Sequence, residues 1–152
     1  MTGGDAVMER VAAAQQLATS GDRDGARTAF AAVWADVGDD GDPLHVVTLA
    51  HYMADVQDDP HAELEWDQRA LRALERLTDE RARRYHPSLS VRGFLPSLHL
   101  NLAAGHAKLG DRDAARRHLV EAEAVESVLP DDGYGRGIRD GIRRLRGELG
   151  PG

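Results

Sequence analysis

The chain has 152 residues, a formal net charge of -7, 5% aromatic residues and no cysteine. This length suits one domain, and a core made mainly of Ala, Leu and Val favours closely packed helices, because Ala and Leu are strong helix formers. The negative charge argues against nucleic acid or an anionic membrane surface as the partner, and the lack of cysteine excludes disulfides, thiolate zinc sites and thiol catalysis.

Apolar residues at helical spacing predict four helices in the first half of the chain, at about 6–18, 22–37, 43–57 and 60–82. Gly21 ends the first helix, because glycine readily adopts the left-handed conformation of a helix C-terminus. Asp22 or Asp24 caps the second helix by accepting hydrogen bonds from its free N–H groups. Pro43 suits the first turn of the third helix, where its missing N–H is not needed.

The second half is predicted to contain a longer connection and three further helices. Residues 77–95 do not keep the helical period and include Pro87 and Gly93, so we interpret them as an insertion, with a helical extension at either end left open. The later helices are expected at about 95–109, 112–127 and 134–149. The last one carries an apolar stripe suited to covering the open end of a helical stack, formed by Tyr134, Ile138, Ile142, Leu145 and Leu149.

A short phrase occurs twice in the chain. Residues 21–27 (GDRDGAR) reappear at 110–116 (GDRDAAR), and six of the seven positions are identical. Each copy lies between two predicted helices, and a large apolar residue follows it, Phe30 in the first case and Leu119 in the second. A phrase repeated at equivalent points predicts a protein built from repeated units.

The sequence resembles the tetratricopeptide repeat family in these same residues. Leu109-Gly110-Asp111 with Ala115 and Leu119 is similar to the turn and second helix of that repeat, as is Gly21-Asp22 with Ala26 and Phe30. Ala62 and Trp66 form a degenerate copy in the middle unit. Asn101-Leu102-Ala103 with Gly105-His106 is similar to the first-helix pattern.

The resemblance implies an all-α domain over residues 1–152, with about three stacked antiparallel helix pairs in a superhelix. Its units would lie at about 7–40, 43–76 and 96–129, with an insertion at 77–95 and a capping helix at 134–149. In this family the first helices line a concave face that usually holds a peptide. The residues expected there, as candidates for ligand or partner binding, are Gln15, Thr19, Thr48, His51, Asp55, Asn101 and Lys108.

His51 and Asp55 are the strongest local signal on that face, because they lie one helical turn apart. They are either a polar hot spot that orients a ligand or a local structural pair. A variant of the family grips C-terminal carboxylates with Lys, Asn and Arg side chains. The matching positions here lack the cations, so we do not expect that chemistry; they hold Val11, Gln15, Thr48, Ser97 and Asn101.

Other chemistry has weaker support in the sequence. His51 with Asp55, or His99 with His106, could supply part of a zinc site, but zinc needs three or four converging protein ligands, so no metal or other cofactor is expected. Ser97, His99 and Asp55 are residue types of a catalytic triad without any sign of its geometry. No phosphate-binding loop or nucleophile elbow occurs, and we expect no enzyme activity.

We therefore expect a protein–protein or peptide-binding scaffold that uses the concave face. The alternative is a sensor or carrier for a small molecule or peptide signal, with the 77–95 insertion closing the same face. Self-assembly, for example as a homodimer, stays open. The chain has no apolar stretch of the roughly 18 residues that a membrane span needs and no signal-peptide pattern, so we expect it in the cytoplasm. Its strong preference for Arg over Lys is typical of a GC-rich bacterial genome.

Overall fold

The computed structural model describes residues 5–150, and within this range all regular secondary structure is helical and there is no strand. This confirms the predicted all-α class. None of the helices in the range is long and apolar enough to cross a membrane. The eight α-helices are α1 (Ala6–Thr19), α2 (Arg23–Val37), α3 (Pro43–Asp55), α4 (Pro60–Leu74), α5 (Asp79–Tyr85), α6 (Val91–Lys108), α7 (Arg112–Ala124) and α8 (Gly133–Leu149), with a 3-10 helix at Glu126–Val128.

Consecutive helices pack in pairs: α1 with α2, α3 with α4, and α6 with α7. Short turns join the two members, so each pair is antiparallel. The pairs stack in chain order, because α3 contacts α1 and α2, and α6 packs directly on α4. The insertion therefore does not interrupt the stack. The division into repeat units stays a prediction.

The three turns inside the pairs end with the same cap. Asp22, Asp59 and Asp111 each accept a hydrogen bond from a backbone N–H in the first turn of the helix that follows. Gly21 and Gly110 have φ values of 98° and 84°, the left-handed conformation expected for the repeated phrase. The middle turn has no residue with positive φ, so Gln57 can stand where the other two copies have glycine.

The capping Asp also fixes the register of the second helices. The position eleven residues after the capping Asp is buried in all three pairs, where it is Val33, Ala70 or Ala122. The position eight residues after it is also buried, and it is Phe30, Asp67 or Leu119. Four residues after it, Ala26 and Ala115 are buried, whereas α4 has the half-buried Glu63. The predicted match of Ala62 and Trp66 with Ala26 and Phe30 is therefore one residue out of register.

Trp34 and Trp66 fill the space between adjacent pairs. Their rings meet edge to face with centroids 4.8 Å apart, and both pack against the buried residues of α1–α4. The guanidinium of Arg69 lies 4.4 Å from the Trp66 ring centroid and covers it from solvent. Trp34 is thus a packing residue between adjacent pairs.

Several helix ends differ from the prediction. The helix expected over 60–82 ends at Leu74, and α5 is a separate helix that begins at Asp79 after a cap by Thr78. The next helix begins at Val91 instead of residue 95 or 96, because Ser90 caps it and Pro96 fits inside its second turn. Helices α3 and α7 end at Asp55 and Ala124, two and three residues earlier than expected, each closed by a tight turn.

Arg81 fastens the insertion to the stack. Its guanidinium contacts Asp42, with an Nη2–Oδ2 distance of 2.7 Å, and Asp5, at 3.6 Å. These two carboxylates cap α3 and α1, so one side chain joins α5 to the N-termini of two helices. Although burial disfavours the charged carboxylates, hydrogen bonds from His45 to Asp5 and from Arg81 to Asp42 hold the pKa of each below its usual value.

Helix α8 lies over the end of the stack. Ile142, Leu145 and Leu149 are buried against α6 and α7, as the predicted apolar stripe requires. Ile138 packs at the edge of this contact, but Tyr134 is 56% exposed and belongs to another surface.

Candidate functional site

A groove of about 440 Å³ lies between α1, α3 and the insertion. It combines polar side chains of the stack with aromatic and apolar side chains of residues 85–94. Its lining includes Val11, Gln15, Thr48, Tyr52, Tyr85, Leu89 and Phe94. Two of the predicted partner-binding residues, Gln15 and Thr48, therefore face this groove, and Tyr85, Leu89 and Phe94 of the predicted insertion line it from the other side.

The predicted residues of α1 and α3 differ in what they offer to a ligand. The Gln15 side-chain oxygen Oε1 is buried, and no donor among residues 5–150 reaches it. Thr48 donates its hydroxyl to the carbonyl of Leu44 at 2.8 Å and keeps its acceptor capacity. Thr19 is exposed, donates to the carbonyl of Gln16 at 3.0 Å and does not line the groove.

A second cleft of about 460 Å³ shares the insertion side of the groove. Leu89 and Phe94 line both clefts, and Tyr134 lines the second one. Tyr85 and Tyr134 are 44% and 56% exposed, a high fraction for side chains of this size. Burial, followed by the negative charge of Asp55, raises the pKa of Tyr52 at the groove floor. Sequence reasoning assigned Tyr134 to the apolar stripe of α8 and selected none of these aromatic residues for binding.

Beyond Tyr52, the same face of α3 leads into a cluster of acidic and polar side chains. We call it the acidic cluster; its members are His51 and Asp55 of α3, Glu63 and Asp67 of α4, and Asn101 and Lys108 of α6. His51 Nδ1 lies 3.4 Å from Asn101 Nδ2 and 4.0 Å from Asp67 Oδ1. Lys108 Nζ donates to Glu63 Oε1 at 2.9 Å. Four of the seven predicted residues thus come together here.

Asp67 is the most unusual member of the acidic cluster. Its side chain is 3% exposed, and no donor among the described residues reaches its oxygen Oδ1. Burial, together with the charges of Asp55 and Glu63, raises its pKa to about 8, against a weaker opposing effect of Asn101 and Lys108. Asp67 is therefore mostly protonated at neutral pH and could be converted to a carboxylate by an approaching cation.

His51 has a different neighbour from the one expected. The sequence suggested a pair with Asp55, but within 4.0 Å the carboxylate near His51 is that of Asp67, on another helix. Burial lowers the pKa of His51, and the charge of Asp55 only partly offsets this effect. His51 is consequently a neutral group between two carboxyls, and Asp55 is exposed at the end of α3.

Sequence reasoning missed Glu63 and Asp67, although a signal for both was present. Counting from the capping Asp59 places them at the fourth and eighth positions, which Ala and a large apolar residue occupy in the other two pairs. The presence of two acids at positions used for packing distinguishes the α3–α4 pair from the other two pairs. The misplaced match with Ala62 and Trp66 concealed it.

Three histidines form a separate stack on α6 and α7. His99 Nδ1 lies 3.1 Å from His118 Nδ1, and the His106 ring is parallel to that of His118, with centroids 5.4 Å apart. Burial and the neighbouring His99, His106 and Arg117 lower the pKa of His118 to about 4. Of the His99 and His118 imidazoles, one therefore donates a hydrogen bond from its Nδ1–H to the Nδ1 of the other.

Neither a metal site nor a catalytic triad assembles from the suggested residues. Within residues 5–150, no three His, Cys, Asp or Glu side chains are positioned to hold a metal ion. Ser97 is buried and donates its hydroxyl to the carbonyl of Phe94, whereas His99 contacts His118. Asp55 lies in the acidic cluster, so these three residue types do not meet.

Comparison with known proteins finds no protein-family model that matches the chain and no curated protein that matches it. The resemblance to tetratricopeptide repeats therefore stays a prediction. The described residues agree with it as far as an all-helical fold with packed neighbouring pairs.

Proposed function

We propose that this protein is a scaffold that binds a peptide, or an extended segment of another protein, along the groove and the acidic cluster. The observation that carries the proposal is that two buried side-chain oxygens on this face, Gln15 Oε1 and Asp67 Oδ1, have no hydrogen-bond partner within residues 5–150. Buried polar atoms are normally hydrogen-bonded, and a peptide supplies backbone and side-chain donors along its length.

The aromatic residues beside the groove support the same function. Tyr85 and Tyr134 present large, partly exposed rings near the apolar side chains of Leu89 and Phe94. Rings of this kind give much contact area at a small entropic cost, and their hydroxyl groups hydrogen-bond to a ligand. A peptide in this position would contact the stack on one side and the insertion on the other.

Selection of a random 12-residue peptide library on the immobilised protein tests this function. Thr48→Arg fills the groove with a long side chain, and Thr28→Arg, on an exposed face of α2, is the matched control. We expect selected peptides to bind the Thr28→Arg variant like the original protein and to lose about tenfold or more in affinity for Thr48→Arg, or roughly 1.4 kcal/mol. Equal binding to both variants, or no selected peptide, would contradict the proposal.

The second candidate is a sensor or carrier for a small molecule. It is favoured by the contribution of the insertion to a groove of about 440 Å³, which lies within the size range of small-molecule sites. Native mass spectrometry of protein purified without denaturation distinguishes the two. Extra mass of a small molecule on the monomer, with a melting temperature that rises when the compound is added, would favour this candidate.

A further inference from the structure

Glu63 and Asp67 occupy positions at which the other two helix pairs have apolar residues. Counted from the capping Asp, the fourth and eighth positions are Ala26 and Phe30 in one pair, and Ala115 and Leu119 in another. Phe30 and Leu119 are fully buried there. A buried carboxyl at the same position costs stability unless it is fully hydrogen-bonded. Glu63 is half-buried and pairs with Lys108, whereas the packing of the stack does not explain the buried Asp67.

The surroundings of Asp67 leave it short of positive charge. The groups that face it are His51 and Asp55 from α3, Glu63 from α4, and Asn101 and Lys108 from α6. His51 is neutral, and the single ammonium of Lys108 is paired with Glu63. Arg23 approaches Asp55, but its guanidinium donates to the backbone carbonyls of Asp55 and Gln57 and to the carboxylate of Asp58.

We propose that the acidic cluster binds the guanidinium group of an arginine side chain carried by the peptide ligand. The proposal rests on the function proposed above and names the chemistry that this part of the face selects. The exposed Asp55 meets the cation first, Glu63 lies half-buried beside it, and Asp67 Oδ1 lies beneath them without a hydrogen-bond partner among residues 5–150.

The acceptors of the cluster suit guanidinium better than ammonium. Carboxyl groups from α3 and α4 and the side-chain oxygen of Asn101 from α6 offer acceptors in several directions. A guanidinium has five N–H donors in a rigid plane and is more weakly hydrated than an ammonium, so it enters a half-buried acidic site more easily.

Binding of the cation has a protonation signature. At neutral pH the Asp67 carboxyl holds a proton, and a nearby guanidinium favours the ionised form, so the proton leaves when the ligand binds. Affinity should therefore rise with pH between about 7 and 8, which lies above the ordinary pKa of histidine, and burial lowers the pKa of His51 further. The heat of binding should depend on the ionisation enthalpy of the buffer.

The probe is Nα-acetyl-arginine amide, and Nα-acetyl-citrulline amide is the neutral control of the same shape. Titration of the ¹⁵N-labelled protein, followed by NMR, should give saturable shifts at Asp67 and Asn101 with the arginine compound and none with the citrulline compound. Asp67→Asn and Glu63→Gln should each weaken binding at least fivefold. Glu65→Gln, an exposed acid on the same helix, should leave it unchanged.

Three results would overturn the inference: equal shifts with both compounds, no shift with either, or unchanged binding in both Asp67→Asn and Glu63→Gln. The inference and the proposed function fail separately. If library-selected peptides bind the groove without any basic residue, the peptide function stands and the arginine site is wrong. If the arginine compound binds but no peptide is selected, the site stands and the peptide function is wrong.

Discussion

The carboxyl group of Asp67 should make the stability of the protein depend on pH in an unusual direction. Its pKa in the folded protein is about 8, whereas an aspartate in an unfolded chain titrates near about 3.9. The folded state therefore holds a proton that the unfolded state has lost. Stability is fully present below about pH 4 and is lost as the pH rises toward 8, by at most about 1.4 kcal/mol per pH unit for one proton.

Asp67→Asn removes this titration while it keeps the size of the side chain. We expect the variant to be more stable than the original protein at pH 8 and similar to it at about pH 4, as measured by urea unfolding followed by circular dichroism. Asp39→Asn, at an exposed position, is the control and should not change the pH profile. A profile of Asp67→Asn parallel to that of the original protein would show that Asp67 is ionised in the fold.

His118 predicts an effect in the acid range. Its folded pKa of about 4 lies below the unfolded value of about 6.5, so the unfolded chain takes up a proton first. This contribution to stability is present above about pH 6.5 and is lost as the pH falls toward 4. His118→Gln should therefore lose less stability than the original protein between pH 6.5 and 4.5 in thermal unfolding. An identical loss in both proteins would contradict the assignment.

For individual residues, the sequence predicted which apolar side chains are buried better than it predicted which polar side chains are buried among them. Phe30 and Leu119 were identified from their distance to the repeated phrase, and both are fully buried. Asp67 occupies the same position but was missed, because charged residues are normally assigned to the surface. The partner of His51 was missed for a related reason: neighbours one turn apart are visible in a sequence, whereas a carboxyl on the adjacent helix is not.

Among the elements, α5 depends most on a few contacts. Arg81 joins it to the caps of α1 and α3, and Ala82 is its one buried residue within the helix. We expect Arg81→Met to weaken this attachment by about 1–3 kcal/mol, because Asp5 and Asp42 lose a charged donor. Hydrogen exchange of the amides of residues 79–90 should accelerate, while the amides of α4 stay protected.

Arg83→Met is the matched control for Arg81, since Arg83 is exposed on the same helix. It should leave the exchange rates near those of the original protein. Equal acceleration in the two variants would show that helix propensity, and not the contact with the two caps, holds α5 in place. Such a result would also remove Arg81 as the support of the insertion side of the groove.

Helix ends were the least predictable part of the fold. The pattern of apolar residues located every helix that belongs to a pair, because each of them buries a continuous face. Residues 77–95 were predicted only as an insertion, since α5 is short and its attachment through Arg81 involves residues far away in the sequence. Pro96 misled the prediction of the start of α6: proline often marks a first turn, yet here Ser90 caps the helix earlier.

At the scale of the whole molecule, α8 should control self-association. Ile142, Leu145 and Leu149 cover apolar residues of α6 and α7. Ile142→Asp places a charge in this contact, and loss of the Ile142 burial alone costs about 2–5 kcal/mol. We expect α8 to detach and the mass to rise with concentration in light scattering. The control Arg143→Asp, at an exposed neighbouring position, should leave the mass unchanged.

A monomeric Ile142→Asp variant of unchanged stability would contradict the role of α8 as the cover of the stack. A mass that rises with concentration in the original protein would show self-association that does not depend on the detachment of α8. It would support the homodimer that the sequence left open and would direct attention to the first helix pair, at the opposite end from α8.

The direct contact between α4 and α6 lets the helical stack and the segment beside the groove evolve under different constraints. Because α4 and α6 contact each other directly, the exposed residues of 75–90 can change while these two helices keep their packing, whereas Leu77 and Ala82 are buried with the stack and should stay apolar. The stack can thus conserve its stability while the segment beside the groove diversifies, much as variable loops do on a constant framework. Homologous chains should therefore differ most in the segment that carries Tyr85 and Leu89, and so in the ligands they accept.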